Sequence, residues 1–286
     1  MYFTKLHGIG NDFILIKEDP NIQSWTGLAP IMCNRHTGIG ADGIIIAGFS
    51  SVADIKMQII NSDGSEAEMC GNGIRCLAKF AFDEELLSTK ASSITIETGA
   101  GIQTVFPIWE NGVISRVKVN MGSPIFEPHL IPVTLPKMAI PGNQQLPEFT
   151  LSIENMSLPL SFVSMGNPHA VYFSEQPVET FPILQIGPKV EHHEMFPKRV
   201  NFHVAHIKNS STIDQVVWER GAGPTMACGS GGCASVVAAQ LKGLVGNKVN
   251  VNLPGGTLVY TWDGKTDVWM EGPVETAYFG EWFTNG

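Results

Sequence analysis

The feature that most constrains this chain is an internal duplication built around a cysteine motif. Cys-Gly-x-Gly occurs at residues 70–73 and again at residues 228–231, each time nine residues after the end of a strand-like segment. Two further segments recur at nearly the same separation: residues 10–16 recur at 166–172, and residues 94–101 at 249–256. The offsets are 158, 156 and 155 residues. So steady an offset indicates two similar halves.

Both copies of the motif precede an apolar segment that is typical of a buried helix. Residues 74–86 are rich in Ala, Leu and Phe, and residues 233–241 are rich in Ala and Val. Each cysteine is therefore expected at the first turn of a helix. There, unpaired backbone N–H groups and the positive end of the helix dipole favour a thiolate and can hold a carboxylate. We predict that Cys70 and Cys228 form a pair of reactive thiols.

Short apolar or alternating segments, separated by Gly-, Asn- and Asp-rich turns, predict strands in both halves. The predicted strands are residues 13–16, 44–46, 54–60, 93–98, 101–108, 113–120, 158–163, 170–173, 200–206, 212–219, 248–253, 257–261, 268–271 and 275–279. Two shorter helices are predicted at residues 25–34 and 178–187. Together with the duplication, this pattern predicts an α+β fold of two pseudo-symmetric domains. Each is expected to be a mostly antiparallel sheet or barrel around a central helix, with both cysteine helices starting at a cleft between the domains.

Proline marks the connection between the two halves. Residues 121–149 contain six prolines, so this segment is predicted to join them. The first domain is then expected to cover residues 1–122 together with the last strand, at about 273–286. The second is expected to cover residues 123–272.

Composition excludes several classes of partner. The 286-residue chain has a formal net charge of −9 and no cluster of Lys and Arg, which argues against binding to nucleic acid or to an anionic membrane. No apolar run is long enough to span a membrane. Residues 1–13 are too polar for a signal peptide, because Lys5, His7, Asn11 and Asp12 interrupt them. A cytoplasmic location and a small-molecule or protein partner are therefore predicted.

The cysteine count argues against a disulfide framework. Five cysteines are an odd number, and a cytosolic chain keeps its thiols reduced. Cys33, Cys76 and Cys233 are predicted to be packing residues. The short Cys-x-x-Cys spacing of common zinc sites is absent, so no metal is predicted.

Two thiols on related domains can perform proton transfer at one carbon. Removing the α-proton of an amino acid requires a base on one face, and inverting that centre requires an acid on the other. A thiolate and a thiol could supply this pair, with their roles exchanged in the reverse reaction. Helix N-termini would hold the α-carboxylate and stabilise the developing charge. No nucleotide-binding fingerprint or pyridoxal-type lysine motif is present, so the predicted chemistry needs no cofactor.

Four motifs resemble those of the diaminopimelate epimerase family, and the resemblance covers nearly the whole chain. They lie at residues 7–13, 61–76, 165–169 and 219–231. The resemblance implies a cofactor-independent epimerase that interconverts LL- and meso-diaminopimelate, an amino-acid substrate of lysine and peptidoglycan synthesis. It also suggests a homodimer. At two positions the chain departs from the family, because Gly43 stands where members often carry Gln and Pro224 where they often carry Glu.

The resemblance also implies roles for individual residues. Cys70 and Cys228 would be the acid/base pair, with His169 and Glu219 beside the reacting centre. The main-chain amides that would hold the reacting carboxylate belong to Gly71, Asn72, Gly229 and Ser230. The residues that would bind the distal end of the substrate are Asn11, Asn61, Asn167, Asn201 and Arg220. An arginine can bind a distal carboxylate bidentately, and asparagines can recognise a distal ammonium.

Other hypotheses stay open at this point. A related cofactor-independent racemase could act on a substrate with only one amino-acid end. A thiol-redox or metal-binding module could use the same two cysteines, and a non-catalytic binding protein would not need either thiol. Hydrogen exchange at the α carbon separates the isomerases from the other two classes.

Overall fold

The computed structural model describes residues 1–87, 91–135 and 146–283. The chain divides into two compact units, one formed by Met1–Asn120 with Glu271–Gly286 and the other by Met121–Met270. The boundaries expected from the sequence, after residues 122 and 272, stay predictions of separate domains, since compactness alone does not test independent folding. Residues 136–145 of the predicted connection and residues 284–286 of the predicted last strand lie outside the described residues.

Among the described residues before position 121, the first unit has eight strands and two helices. In chain order these are β1 (Tyr2–Gly8), β2 (Asn11–Lys17), α1 (Trp25–Met32), β3 (Gly43–Gly48), β4 (Ile55–Asn61), β5 (Glu66–Ala67), α2 (Gly71–Asp83), β6 (Ile94–Thr98), β7 (Gly101–Glu110) and β8 (Val113–Asn120). β2 pairs parallel with β3, and β4 pairs parallel with β6. The pairs β1–β2, β3–β4, β4–β5, β6–β7 and β7–β8 are antiparallel.

The second unit repeats this order. Its elements are β9 (Glu148–Ile153), β10 (Met156–Ser164), β11 (Pro168–Phe173), a 3₁₀ turn (Val178–Thr180), α3 (Ile183–Glu191), β12 (Asn201–Asn209), β13 (Thr212–Glu219), β14 (Gly223–Pro224), α4 (Gly229–Leu241), β15 (Lys248–Leu253) and β16 (Gly256–Thr261). β17 (Trp269–Pro273) begins in the second unit and ends in the first. β11 pairs parallel with β12, and β13 pairs parallel with β15. The pairs β9–β10, β10–β11, β12–β13, β13–β14 and β15–β16 are antiparallel. The last strand, β18 (Glu275–Glu281), pairs antiparallel with β1 of the first unit.

The duplication is therefore visible in strand pairing as well as in sequence. Each unit contains an antiparallel hairpin, β3–β4 or β12–β13, both strands of which also pair with a parallel strand. A two-residue strand follows the hairpin, and the central helix follows that strand. The predicted α+β fold, with two similar and mostly antiparallel halves, is confirmed. No helix within the three described ranges is long and apolar enough to cross a membrane.

Each cysteine helix is the central helix of its own unit. In α2, residues 72–81 are all buried, and the helix contacts β1, β2, β3, β4, β7 and β8. In α4, residues 231–239 are all buried, and the helix contacts β10, β11, β12 and β16. α4 is apolar on almost every side, which explains its place in the interior. α2 is buried as well, although it carries Arg75 and Lys79.

Both central helices begin earlier than the apolar pattern indicates. The apolar runs begin at residues 74 and 233, whereas the helices start at Gly71 and Gly229, directly after the cysteines that were expected at the first turn. Glycine carries no hydrophobic signal, so the first turn of each helix is invisible to periodicity. As a result, each cysteine is the N-cap residue and lies immediately before the first helical residue.

Among the described residues, four strands were missed: β1, the two-residue strands β5 and β14, and β9. β9 follows the proline-rich segment directly and forms a hairpin with β10, and its turn places Glu154 at a φ of +55°. The prolines around it concealed the alternation of buried and exposed residues in β9. The helix expected at residues 178–187 is also shifted, since a 3₁₀ turn comes first and α3 begins at Ile183.

Candidate active site

Cys70 lies at the start of α2 and is half-buried. Its backbone is extended, with φ −141° and ψ 120°, and its Sγ accepts a hydrogen bond from the Gly73 amide at 3.4 Å. The amides of Gly71 and Asn72 belong to the same first turn, where backbone N–H groups have no acceptor within the helix. The helix start therefore presents a thiol and free backbone donors together.

Asn11 connects this thiol to a charged cluster. Cys70 Sγ donates to Asn11 Oδ1 at 3.7 Å, and Asn72 Nδ2 donates to the same oxygen at 3.0 Å. Asn11 Nδ2 donates to Asp42 Oδ2 at 2.7 Å. The Asp42 carboxylate can accept a hydrogen bond only from the NH₂ group of Asn11, so it orients the Asn11 side chain with Oδ1 toward Cys70. Arg35, which donates to Asp42 Oδ1 at 2.8 Å, holds that carboxylate in place.

Cys228 has a different environment at the start of α4. Its side chain is 4% exposed, and its Sγ lies 3.8 Å from Ser230 Oγ. Burial and the negative charge of Glu219 raise the pKa of the Cys228 thiol well above its usual value, outweighing the amide of Gly231 and the Ser230 hydroxyl. Glu219 also accepts hydrogen bonds from the thiol and from Thr225 Oγ1. Cys228 is therefore held as a neutral thiol beside a carboxylate.

His169 is fully buried at the start of β11. Its Nε2 lies 2.8 Å from Asn167 Oδ1, and its Nδ1 lies 2.9 Å from Nε2 of His203. Burial first, and then the charges of His203 and Arg220, lower the pKa of His169 well below its usual value. The imidazole is consequently neutral at physiological pH.

The turn that carries Arg220 is held from two sides. Asn201 Oδ1 accepts from the Arg220 amide at 3.0 Å, while Asn201 Nδ2 donates to the Pro168 carbonyl at 2.9 Å. On the other side, Glu191 accepts from Trp218 Nε1 at 2.7 Å and from the Gly221 amide at 2.9 Å. The guanidinium of Arg220 donates to the backbone of Lys198 at 3.2 Å and is otherwise exposed. It is thus available to an anionic ligand.

The diaminopimelate epimerase family matches residues 3–127 and 161–277. This chain belongs to that family. A diaminopimelate epimerase of Methanococcus maripaludis (strain C5) is 44% identical over 283 residues, covering 98% of this chain and 99% of the relative. One from Pelotomaculum thermopropionicum is 43% identical over 285 residues, covering 99% of both.

Solved structures share the same fold at much lower identity. A phenazine biosynthesis protein of the PhzF family from Bacillus anthracis is 17% identical, with a TM-score of 0.68 over 99% of both chains. A predicted epimerase from Pseudomonas aeruginosa is 12% identical, with a TM-score of 0.67 over 99% of both chains. At such identities the similarity establishes the fold alone.

The structure brings together most of the residues named from the sequence, within each unit. In the first unit, Cys70, Gly71 and Asn72 lie with Asn11, whereas the side chain of Asn61 donates to Ser65 Oγ at 3.0 Å. In the second unit the residues form three contacting groups. These are Cys228 with Ser230 and Glu219 beside Gly229, His169 with Asn167, and Asn201 with Arg220. Their catalytic and binding roles stay predictions.

Three residues that shape the site were missed by sequence reasoning. They are Asp42, which orients Asn11, Glu191, which holds the Arg220 turn, and His203, which contacts His169. A usable signal existed for His203. It lies two residues after Asn201 in a predicted strand, and strand periodicity places both side chains on one face. Asp42 and Glu191 come from loop and helix segments that periodicity does not link to the site.

The departure at Gly43 has a steric explanation. Gly43 begins β3 opposite Asn61, and a Cβ placed there would lie 2.7 Å from the carbonyl oxygen of Ile60. A side chain at this position would require the paired backbone to shift. The chain therefore accommodates glycine here for local packing. Pro224 lies in β14 and is exposed.

The remaining cysteines are buried free thiols, as predicted for Cys33, Cys76 and Cys233. Burial raises the pKa of Cys33 and of Cys76 to about 12. Among residues 1–87, 91–135 and 146–283, no group of three or more His, Cys, Asp or Glu side chains is placed to hold a metal ion. The expectation that the chain needs no metal or cofactor stays a prediction.

Proposed function

We propose that this chain is a cofactor-independent epimerase that interconverts LL- and meso-2,6-diaminopimelate, in lysine and peptidoglycan biosynthesis. One observation carries the proposal: in a member of the diaminopimelate epimerase family, each half places a cysteine thiol at the N-cap of its central helix. Named relatives at 43% to 44% identity over nearly the full length support the same substrate.

The two thiols have different resting roles in this proposal. Cys70 accepts an amide hydrogen bond and is half-buried, which suits the base that removes the α-proton. Cys228 is held as a thiol by burial and by Glu219, which suits the acid that returns a proton on the opposite face. In the reverse direction, Glu219 takes up the Cys228 proton, so that the thiolate forms only when needed. His169 is neutral and donates or accepts a hydrogen bond beside the reacting centre.

Substrate binding uses both helix starts and the polar side chains around them. The amides of Gly71, Asn72, Gly229 and Ser230 hold the reacting carboxylate, because a helix N-terminus favours an anion. The exposed guanidinium of Arg220 binds the distal carboxylate. The side chains that contact the distal ammonium belong to Asn11, Asn61, Asn167 and Asn201. A substrate with two zwitterionic ends matches this set better than a substrate with one.

We also propose that the protein is a cytoplasmic homodimer. A surface aromatic cluster supports dimerisation: Tyr2, Phe279 and Phe283 are 79%, 82% and 74% exposed. Tyr2 and Phe279 belong to the paired strands β1 and β18. Exposed apolar side chains that lie near one another often mark protein–protein interaction sites. Sedimentation of the parent and of Phe279→Glu tests this, since the variant should shift toward the monomer.

The decisive experiment follows deuterium incorporation from heavy water. The parent should exchange the α-hydrogen of LL-diaminopimelate and form the meso isomer, while Cys70→Ser and Cys228→Ser should lose about 10²- to 10⁴-fold in epimerisation rate, as expected for removal of a general base or acid. Cys233→Ser is the matched control, because Cys233 is a packing residue within α4, the helix that Cys228 caps. Absence of exchange at diaminopimelate would refute the proposed substrate.

A panel of single amino acids separates the second candidate. A racemase for a substrate with one amino-acid end would exchange those compounds faster than diaminopimelate. Turnover of dithiols, or stoichiometric metal without isomerisation, would instead support the redox or metal-binding reading.

A further inference from the structure

A chain of hydrogen bonds between four polar side chains, three of them buried, runs through the second unit. It links Asn167 to His169, His169 to His203, and His203 to Gln215, with distances of 2.8, 2.9 and 3.2 Å. His169, His203 and Gln215 are each at most 1% exposed. Three polar side chains in an apolar interior are costly unless every donor faces an acceptor.

The two amide ends of this chain specify the same arrangement of protons. Gln215 faces His203 with its Nε2, which can only donate, so Nδ1 of His203 carries a lone pair, while Gln215 Oε1 is buried without a hydrogen-bond partner. A neutral His203 then has its proton on Nε2 and donates to Nδ1 of His169. His169 in turn has its proton on Nε2 and donates to Asn167 Oδ1. The assignment is consistent from either end, and burial lowers the pKa of His203 to about 3, which keeps this ring neutral.

The same ring also packs against the start of α4. A Cβ built at Gly231 would overlap the imidazole of His203, so the ring lies directly against the first turn of this helix. Gly231 is three residues after Cys228, and its amide faces that thiol. His203 therefore touches both of the elements that carry His169 and Cys228.

We propose that His203 is a positioning residue that fixes His169 as the Nε2–H tautomer and seats the first turn of α4. The tautomer assignment rests on the hydrogen-bond chain alone, whereas the expected effect on kcat rests on the proposed epimerase function. His169 then acts as a hydrogen-bond donor at Nε2 toward Asn167 and is not the free base of the site. Gln215 supports His203 in the same way that His203 supports His169.

Nitrogen-15 NMR of the histidine side chains tests the tautomer without substrate or activity. In the parent, His169 and His203 should both show a protonated Nε2 and an unprotonated Nδ1 throughout the neutral range. The resonances are assigned by their loss in single histidine variants. A protonated Nδ1 on His169 would overturn the proposal.

Two substitutions separate positioning from packing. His203→Leu removes the donor to His169 and should both mix the His169 tautomers and lower kcat about 10- to 100-fold, with KM little changed. His203→Gln can still donate from its amide and should restore most of the kcat and the single tautomer. His206→Gln is the control, because His206 lies in the same strand and bonds the Ser174 carbonyl instead.

The outcomes are distinct. Parental kcat in His203→Leu, or a single His169 tautomer retained in that variant, would show that His203 does not position His169. If the parent shows the expected tautomers but no exchange at diaminopimelate, the proposed function fails while the tautomer assignment holds.

Discussion

Cys70 and Cys228 occupy the same position in two copies of one motif, yet their surroundings differ. Cys70 is half-buried, accepts an amide hydrogen bond and faces the neutral amide of Asn11. Cys228 is almost fully buried and faces the carboxylate of Glu219, which ends β13 at the position where β4 ends in Asn61. Duplication therefore preserved the helix start and changed its electrostatics. An enzyme that needs one base and one acid benefits from that difference.

The largest expected effect comes from removing the charge that distinguishes the two thiols. Glu219→Gln should lower the pKa of Cys228, although burial will keep that pKa above its ordinary value. The variant should also slow epimerisation about 10²-fold or more, because the thiol loses its proton acceptor. The alkylation rate of Cys228 as a function of pH, followed by mass spectrometry, measures the first effect. The reciprocal change, Asn61→Asp, should shift the alkylation of Cys70 to higher pH. If the pH dependence of Cys228 alkylation were unchanged in Glu219→Gln, the carboxylate of Glu219 would not be a cause of the raised pKa.

A medium effect is expected where the two helix starts are packed differently. At Gly231 a Cβ would overlap the rigid ring of His203, whereas at Gly73 it would lie 2.9 Å from the terminal methyl of Ile45, which can move. Gly231→Ala should therefore cost about 1–3 kcal/mol of stability, as overpacking usually does, and Gly73→Ala should cost less. Chemical denaturation of both variants measures the pair. Equal losses of stability in the two variants would mean that the ring of His203 moves aside as readily as the terminal methyl group of Ile45.

The smallest effect concerns the turns that follow β4 and β13. The first is held by Asp63, which is exposed and accepts from the Ser65 amide at 2.9 Å. The second is held by Glu191, which is 3% exposed. Burial alone would raise the pKa of Glu191, but the hydrogen bonds from Trp218 and Gly221 outweigh it and lower the pKa. Glu191→Gln should therefore cost about 1 kcal/mol of stability at neutral pH.

The sign of the pH dependence follows from that lowered pKa. A carboxyl group whose folded-state pKa is depressed stabilises the protein above its unfolded pKa, and the contribution disappears as the pH falls through the folded value. The stability difference between the parent and Glu191→Gln should thus be constant near neutrality and shrink below about pH 4.5. Asp63→Asn, the exposed counterpart, should change neutral-pH stability little. A difference that grows in acid would contradict this account of Glu191.

Much of the fold could be predicted because the relevant signals are local or repeated. The strands at Phe13, Ile44 and Val249 show in apolar runs, and the two cysteine helices show in their Ala-rich segments. The constant offset between the halves then specified the architecture. β9 was missed because prolines surround it. Both helix starts were expected at the cysteines, although the glycines of each first turn carry no hydrophobic pattern.

The sequence by itself determined that the chain has two similar halves, that each half has a cysteine before a central helix, and which residues resemble a known catalytic set. These properties depend on residue type and spacing, which a sequence displays directly. Only the tertiary structure decided that Cys228 is buried beside Glu219 with a raised pKa, that Asp42 orients Asn11, and that His203 joins His169 to the start of α4. Protonation and side-chain orientation depend on burial and on partners distant in the chain, and these are settled only when the strands and helices pack.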